Sequence, residues 1–200
     1  MTLSLQDWRR RVAAIYAAAR AVPDPEAGWR LWRDGRDELF AGHPDSPLDA
    51  RARDRFTGLP FAPYDPELRF TATVEPAPPR RLELPTETDG TVPLERIGTV
   101  SLGPVGAIDV WWLGGYGGGV FLPLRDGTAG QSSYGGGRYL LDTVKGADLG
   151  MDGARLVVDL NFAYNPSCAY DPHWVCPLAP RANRLSLAVR AGEKAPIALA

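Results

Sequence analysis

Polar and aromatic side chains crowd together near the C-terminal end of the chain, between residues 159 and 177. Asp159 and Asn161 alternate with apolar residues along a predicted strand, so their side chains share one face of that strand. If that face is buried, each polar group needs a hydrogen-bond partner, because an unpaired one costs about 1–3 kcal/mol. The pattern predicts either a structural network that fixes an irregular loop or a pocket in which a ligand supplies the partners.

A second candidate is Arg138, which directly follows three glycines. Its guanidinium is a rigid fork suited to a carboxylate or a phosphate, and the glycines leave backbone N–H groups open to a ligand. Our leading hypothesis is therefore the binding of a small polar or anionic molecule in a pocket at one end of the β-domain. The residues expected to form this pocket, with Trp174 as a further aromatic wall, are Arg138, Tyr139, Tyr134, Asp159, Asn161, Tyr164 and Asn165.

Three other functions stay open. The first is an enzyme of unknown reaction that uses the same polar cluster, with Asp159 as a base and Tyr164 as a proton donor. The second is a flavin-binding split-barrel protein, since small antiparallel barrels can hold such cofactors. The third is a structural or interaction protein without a ligand, in which Trp111, Trp112 and a glycine-rich hairpin form a partner surface or a homodimer contact. No residue is assigned a catalytic role, and the leading hypothesis needs no cofactor.

The two cysteines raise the question of a metal site. Cys168, His173 and Cys176 follow C-x4-H-x2-C spacing, and these residue types bind zinc. A fourth ligand is not evident, so we expect no metal. Cys168 and Cys176 are candidates for a disulfide or a close thiol pair, and separate buried thiols are the alternative. A Cys–His nucleophile requires His173 to face a thiol, which the spacing alone does not indicate.

Helical periodicity dominates the first 57 residues. Apolar residues recur at three- and four-residue steps from Gln6 to Val22, and again between Asp24, a predicted N-cap, and Gly42. A short third helical turn is predicted within residues 48–56. We expect a solvated surface rather than a binding patch from the charges of the second helix, which are Arg30, Arg33, Asp34, Arg36, Asp37 and Glu38.

After Gly58, frequent prolines exclude long helices and the apolar period falls to two. Short strands without intervening helices predict an antiparallel sheet, because each parallel crossover needs about a dozen or more residues. The predicted strands are Arg69–Val74, Arg80–Leu84, Val92–Leu102, Ala107–Leu113, Val120–Leu124, Arg138–Thr143, Arg155–Asn161 and Leu185–Arg190.

The expected fold is α+β, with N-terminal helices packed on a mainly antiparallel β barrel-like or sandwich domain. We expect a single domain over residues 1–200, divided into a helical segment, 1–57, and a mainly β region, 58–200. One hydrophobic core would then serve both segments.

Composition and charge exclude some partners. The 22 basic and 24 acidic side chains give a net charge of −2, which argues against nucleic-acid binding. The first residues lack the uninterrupted apolar run of a secretory signal, and no run reaches the ~18 apolar residues of a membrane helix. We therefore expect a cytoplasmic protein without membrane association.

Several motifs resemble those of a known family. They are Arg36-Asp37-Glu38-Leu39-Phe40, Tyr134-Gly135-Gly136-Gly137-Arg138-Tyr139, Asn161-Phe162-Ala163-Tyr164-Asn165-Pro166, Cys176-Pro177-Leu178 and Arg190-Ala191-Gly192-Glu193. At these residues, and most densely within 121–193, the chain resembles the bacterial proteins of the domain of unknown function 1684 (DUF1684) family. The resemblance implies no known activity. It implies a single-domain bacterial protein whose shared polar residues converge near Arg138, Asp159, Asn161, Tyr164 and Asn165.

Overall fold

The computed structural model describes residues 3–86 and 90–196; residues 1–2, 87–89 and 197–200, which the predicted domain also includes, lie outside the described part. Helices open the chain, as predicted. They are α1 (Leu3–Ala21), α2 (Pro25–Gly42) and α3 (Ala50–Asp54). Within the described ranges, no helix combines the length and the apolar character needed to cross a lipid bilayer.

Local capping fixes where α2 begins. The Asp24 carboxylate accepts hydrogen bonds from the backbone N–H groups of Glu26 and Ala27, at 3.3 and 3.2 Å, and Pro25 occupies the first helical position. The helix ends where His43 takes extended backbone angles. Because these signals are local in the chain, the sequence predicts both ends of α2.

The β region is antiparallel, as predicted. Its strands are β1 (Arg69–Ala72), β2 (Arg81–Thr86), β3 (Gly90–Ser101), β4 (Ala107–Leu113), β5 (Gly119–Leu124), β6 (Arg138–Asp142), β7 (Met151–Asp152) and β8 (Arg155–Asp159). Strands β2 to β6 form a five-stranded meander in chain order, and β1, β8 and β7 form a separate three-stranded sheet. Since the two sheets are separate, the barrel is not closed, and the sandwich-like form of the prediction is the one observed.

Two irregularities bend the meander. The register between β3 and β4 shifts between Arg96 and Gly98, and the intervening Ile97 is exposed. The register between β5 and β6 shifts between Leu122 and Pro123, where proline lacks the N–H that a regular ladder uses. Such shifts increase the local twist, so they help the sheet to curve around the core.

Most predicted strands have ends within two residues of those observed, the short β7 is not among the predicted strands, and two further differences bear on the site residues. Leu185–Arg190 is irregular because its backbone makes single hydrogen bonds to the loop after β5, such as the 2.8 Å bond from the Leu185 N–H to the Arg125 carbonyl. The predicted strand Arg155–Asn161 ends at Asp159, whose carboxylate accepts the Asn161 N–H and starts a 3-10 turn. Asp159 and Asn161 therefore do not share a strand face, and that expectation is wrong.

One main hydrophobic core joins the helices to both sheets. It includes Trp32 of α2, Ile108 of β4, Leu140 of β6 and Val158 of β8, each no more than 1% exposed. A smaller cluster around Trp111 packs on the opposite face of the meander. Side-chain alternation along β4 explains this division, because Ile108 and Trp111 point to opposite faces.

Candidate functional site

The structure separates the seven residues expected to bind a ligand. Three of them, Tyr139, Tyr164 and Asn165, line one cavity. Trp174, the expected aromatic wall, lines the same cavity. The other four make contacts with other parts of the protein, and they are Arg138, Asp159, Asn161 and Tyr134. Only three of the seven expected residues therefore lie together at this cavity.

Arg138 begins β6, and its side chain is 2% exposed. Its Nη1 donates to the carbonyls of Ala191 and Glu193, and its Nη2 donates to Asp126 Oδ2 at 2.7 Å and to the Val189 carbonyl at 3.2 Å. Each terminal nitrogen carries two hydrogens, so these four bonds use all of them. The fork that the sequence assigns to an anionic ligand is occupied by the protein's own acceptors.

The Asp126 carboxylate completes this attachment. Its Oδ1 accepts from the Thr128 hydroxyl at 2.6 Å and from the Val189 N–H at 3.1 Å. Burial alone would raise the pKa of Asp126, but the Arg138 charge and the hydrogen bonds from Thr128 outweigh burial and lower it. The ion pair thus fixes residues 189–194, which we call the C-terminal strap, to the sheet.

Asp159 and Asn161 form a second structural network at the end of β8. Asp159 Oδ1 accepts from the Asn161 backbone N–H and side-chain amide, at 2.9 and 2.8 Å, and Oδ2 accepts from Arg69 at 3.1 Å. The Asn161 amide exchanges two hydrogen bonds with the backbone of Asp65. Here the polar groups supply each other's partners and fix a loop, which is the first of the two arrangements considered above.

A cavity of about 140 Å³ lies between α1, α2, the end of β6 and two C-terminal segments, 164–167 and 174–176. Its volume is close to the ~150 Å³ of an apolar cavity that admits benzene. Tyr139 and Tyr164, on its wall, exchange backbone hydrogen bonds of 2.8 and 3.0 Å. The aromatic side chains that line it are Trp8, Tyr16, Phe40, Tyr139, Tyr164 and Trp174.

The lining of the cavity is also polar. Five lining residues carry a buried atom without a hydrogen-bond partner among the described residues: Tyr16 Oη, Arg36 Nε, Asp45 Oδ2, Asp142 Oδ1 and Asn165 Oδ1. Most buried polar atoms in folded proteins have a partner, and an unpaired one costs about 1–3 kcal/mol. Such a cluster is typical of a site where water or a bound molecule supplies the partners.

Arg36 is a site residue that sequence reasoning missed. The sequence places it on the solvated surface of α2, but its side chain is 9% exposed. Its guanidinium lies 4.9–5.3 Å from the ring centroids of Trp32, Phe40 and Tyr164, and Nη2 donates to Glu193 Oε2 at 2.9 Å. The surface prediction is therefore wrong for Arg36. A signal was available, because Trp32, Arg36 and Phe40 are four residues apart and so share a helix face.

Buried charges next to the cavity are paired. Glu193, which faces Arg36, also accepts the Asn165 backbone N–H at 2.9 Å. Burial raises the pKa of Glu193, with a partial offset from the Arg36 charge. Asp142 ends β6, and its Oδ2 lies 3.4 Å from Lys145 Nζ, leaving Oδ1 as the unpartnered atom.

The tyrosines of the cavity are neutral at pH 7. Burial raises the pKa of Tyr16, Tyr139 and Tyr164 above the ordinary value of a phenol. A neutral phenol can donate or accept a hydrogen bond, so the unpartnered Tyr16 hydroxyl suits either kind of group. Sequence reasoning missed Tyr16 and Asp142, because nothing local distinguishes them from other residues of a helix face or a strand end.

Cys168 and Cys176 are free thiols in contact with each other. Interaction with the neighbouring Cys168 thiol lowers the pKa of Cys176, although burial opposes it. The same interaction, together with burial, raises the pKa of Cys168. Cys176 lines the cavity, and Cys168 contacts Tyr134 Oη at 3.8 Å. Of the two thiols, Cys176 thus forms part of the cavity wall and Cys168 does not.

His173 has a structural partner of its own. Its backbone N–H and its Nδ1 both contact Asp171 Oδ1, at 2.9 and 2.8 Å, and its ring is exposed. Across residues 3–86 and 90–196, no three His, Cys, Asp or Glu side chains are grouped so as to hold a metal ion. The histidine of the C-x4-H-x2-C segment is therefore held by the Asp171 carboxylate.

Fold and cavity together define an α+β protein in which helices cover an antiparallel meander and enclose a small polar cavity. Residues 54–194 match a family described as Protein of unknown function (DUF1684). The chain belongs to this family, which confirms the resemblance seen in the motifs after residue 54. The matched range begins within α3, so α1 and α2 lie outside it.

The chain is also similar to a solved structure. This is the uncharacterized protein from gene locus rrnAC0354 of Haloarcula marismortui, determined by solution NMR, with 36% sequence identity. The similarity covers 84% of this chain and 93% of that chain, with a TM-score of 0.59. No curated protein matches. Neither the family description nor the name of this structure gives an activity.

Proposed function

We propose that this protein binds a small polar molecule, neutral or cationic and rich in hydrogen-bond donors, in the cavity between α1, α2 and the end of β6. The observation that carries the proposal is the cluster of unpartnered buried polar atoms on residues that line this one cavity. A structural network of the kind around Asp159 satisfies its own polar groups. The cavity lining does not, so a guest that supplies partners lowers its free energy.

The chemistry of these atoms favours a donor. Asp45 Oδ2, Asp142 Oδ1 and Asn165 Oδ1 are acceptors, Arg36 Nε is a donor, and Tyr16 Oη can be either. A ligand that pairs all of them offers more N–H or O–H groups than it accepts. Amines, amidines and amides have this character, whereas a carboxylate or a phosphate has the reverse.

The charges next to the cavity also favour a neutral or cationic ligand over an anionic one. Arg36 is already neutralised by Glu193 and Lys145 faces Asp142, while Arg9 lies exposed at the rim. An anion would have to enter beside Asp142 and Asp45 without a free buried cation to receive it. A cation meets carboxylate oxygens and aromatic faces, both of which attract it.

Binding can be tested with three planar probes of nearly equal shape: benzamidine, benzamide and benzoate. They present a donor-rich cation, a neutral amide and an acceptor-rich anion. Titration by two-dimensional NMR is expected to shift the backbone resonances of Tyr139, Tyr164 and Asn165 with benzamidine and with benzamide, and much less with benzoate. If benzoate binds best, or if none of the three shifts these resonances, the proposed ligand class is wrong.

The substitution Asp142→Asn tests the role of one acceptor with little change of shape. Charge-assisted hydrogen bonds contribute about 1.5–3 kcal/mol, so benzamidine affinity is expected to fall roughly tenfold or more, and benzamide affinity less. Asp152→Asn is the matched control, because Asp152 is exposed on β7 and pairs with Arg155. Equal losses in both variants would contradict a direct contact with Asp142.

A further inference from the structure

We propose that His43 makes the cavity sensitive to pH, because a proton on His43 Nδ1 competes with a bound ligand for the carboxylate of Asp45. The exchange of hydrogen bonds between His43 and Asp45 is a property of the protein alone. Only its consequence for binding rests on the proposed function, so either idea can fail alone.

The imidazole of His43 is buried where α2 ends, with 3% of its side chain exposed. Its Nδ1 accepts the Asp45 backbone N–H at 3.1 Å. A ring nitrogen that accepts a hydrogen bond carries no hydrogen, so the neutral ring has its hydrogen on Nε2, which lies 3.5 Å from Asp7 Oδ2 of α1. The ring also packs edge-on against Trp8, a lining residue of the cavity, with the ring centroids 5.2 Å apart.

The Asp45 carboxylate is next to this ring and also belongs to the cavity lining. Its Oδ2 lies 4.0 Å from His43 Nδ1 and has no hydrogen-bond partner in the described part of the chain. A neutral ring cannot be that partner, because Nδ1 then has a lone pair in place of a hydrogen. A protonated ring can, because both of its nitrogens are donors. Oδ2 thus has two alternative partners, which are a ligand donor and the proton of His43.

Protonation changes this turn in a defined way. A hydrogen on Nδ1 points at the Asp45 N–H, so the hydrogen bond between them is lost. Closing the 4.0 Å gap to the ~2.8 Å of a charge-assisted hydrogen bond moves Oδ2 about 1 Å towards the ring. The positive ring also repels a cation in the cavity and neutralises the carboxylate that would attract it. Low pH therefore weakens the binding of a cationic ligand.

Charged groups from each neighbouring element lie near His43. Asp7 from α1 and Asp45 from the turn after α2 face the two ring nitrogens. Arg53 of α3 donates to the His43 backbone carbonyl, at 3.4 Å, rather than to the ring. The other charged groups beside the ring or its carboxylate partners are Arg10, Arg11 and Glu38. Since histidine is the side-chain type that changes charge between about pH 5 and 8, we expect the exchange of partners in this range.

The first test uses the wild type without a ligand. His43 and His173 are the two histidines of the chain, and His173 is exposed, so the variant His173→Asn identifies the ring signals of His43. As pH falls from about 8 to about 5, the Asp45 amide proton is expected to move upfield in NMR spectra with the same midpoint as the His43 ring, because its hydrogen bond breaks. An Asp45 amide that does not follow the ring overturns the proposal, and so does a His43 ring that stays unprotonated at the lower pH.

The substitution His43→Asn removes the proton and keeps the turn. An asparagine side-chain oxygen accepts the backbone N–H two residues further on, as Nδ1 of His43 does here. We expect the Asp45 amide proton of this variant to stay nearly constant over the same pH range. The matched control is His173→Asn, which is expected to behave as the wild type. A pH response that survives in His43→Asn contradicts the assignment to His43.

The consequence for binding is measured with benzamidine, which stays cationic over this range. Wild-type affinity is expected to be at least about fivefold lower at about pH 5.5 than at about pH 8, and His43→Asn is expected to lose most of this difference. Cys176 also lines the cavity, and interaction with Cys168 lowers its pKa to about 6. Its titration persists in His43→Asn, so the variant supplies the baseline.

The outcomes separate the two proposals. If benzamidine binds and its affinity depends equally on pH in the wild type and in His43→Asn, His43 does not control the cavity. If benzamidine binds at no pH, the proposed ligand class is wrong, and the NMR titration of Asp45 still decides whether His43 and Asp45 exchange their hydrogen bonds.

Discussion

Arg36 and Arg138 are both buried arginines, but the atoms around their guanidinium groups differ. All four terminal hydrogens of Arg138 are bonded to Asp126 or to carbonyls of the strap. Arg36 pairs with Glu193, faces aromatic rings and lines the cavity. Arg138 therefore stabilises the fold, whereas Arg36 belongs to the cavity.

The Asp126–Arg138 pair makes stability depend on pH. The pKa of Asp126 is lower in the folded protein than in the unfolded chain, so its stabilisation is fully present above the unfolded value of ~3.9 and is lost as pH falls through the folded value. Asp126→Asn removes one partner of a buried pair and is expected to lower the free energy of unfolding at pH 7 by about 3–5 kcal/mol. Urea denaturation is the measurement.

At about pH 3 the same comparison should show a smaller difference, because the Asp126 carboxyl of the unfolded chain, with its ordinary pKa of ~3.9, is then mostly protonated, and this stabilises the unfolded wild type. Asp34→Asn is the control, since Asp34 is exposed on α2 and its ion pair within the described part of the chain is with its neighbour Arg33. It is expected to change stability by less than about 0.5 kcal/mol. A loss in Asp126→Asn that stays constant over this pH range would contradict the role given to the carboxylate.

At the level of residues, the sequence shows which side chains could form a site better than it shows which groups they contact. The aromatic and amide character of Tyr139, Tyr164 and Asn165 marks them as candidates, and they do line the cavity. Three of the four acceptors around Arg138 come from the strap, more than 50 residues later in the chain. No local pattern shows that these carbonyls reach Arg138, so its partners were not predictable.

At the level of elements, alternation predicts a strand only where a partner strand exists. The bounds of β4, Ala107–Leu113, are those predicted, and β3 and β5 pair on either side of it. Leu185–Arg190 has the same alternation but meets loop backbone, and Arg138 takes the carbonyl of Val189. Its failure as a strand is a tertiary effect that periodicity does not contain.

The strap depends on close backbone contact at Gly192, which has a φ of +73°. A Cβ there would lie 2.7 Å from the Ala163 carbonyl oxygen and 3.0 Å from that of Leu160. Gly192→Ala is therefore expected to destabilise through steric overlap, about 1–3 kcal/mol beyond the cost of left-handed backbone. Thermal unfolding followed by circular dichroism measures it.

The variant Gly153→Ala separates the cost of steric overlap from the cost of left-handed backbone. Gly153 also has a positive φ, +59°, but no described atom would lie within 4 Å of a Cβ added there. It is expected to lose only the roughly 1–2 kcal/mol of left-handed backbone. If both variants lose the same stability, the strap is not held by close packing against residues 160–163.

At the scale of the whole molecule, the cavity belongs to no single layer. Tyr16 comes from α1, Arg36 from α2 and Asp142 from β6, while Asn165 and Cys176 come from C-terminal loops. The α+β class and the antiparallel meander follow from proline content and periodicity. The cavity does not follow from them. It exists only after the helices pack on the sheet and Glu193 of the strap pairs with Arg36 of α2.

Contact between the helical and β layers is close at Gly146, in the turn after β6. Its φ is +83°, and a Cβ on it would lie 2.8 Å from Ala13 Cβ and 3.0 Å from Ala13 Cα in α1. Gly146→Ala therefore has to push α1 outward. Since Tyr16 and Trp8 of the same helix line the cavity, the variant is expected to lose stability and to weaken the NMR response to benzamidine.

Gly117→Ala is the control for this last prediction, because Gly117 has a similar φ of +79° at the β4–β5 turn with no described atom within 4 Å of the added Cβ. It is expected to lose about 1–2 kcal/mol from left-handed backbone alone and to keep the benzamidine response. Urea denaturation and the NMR titration are measured on both variants. If Gly146→Ala loses stability while the probe response stays intact, α1 seals the core without shaping the cavity.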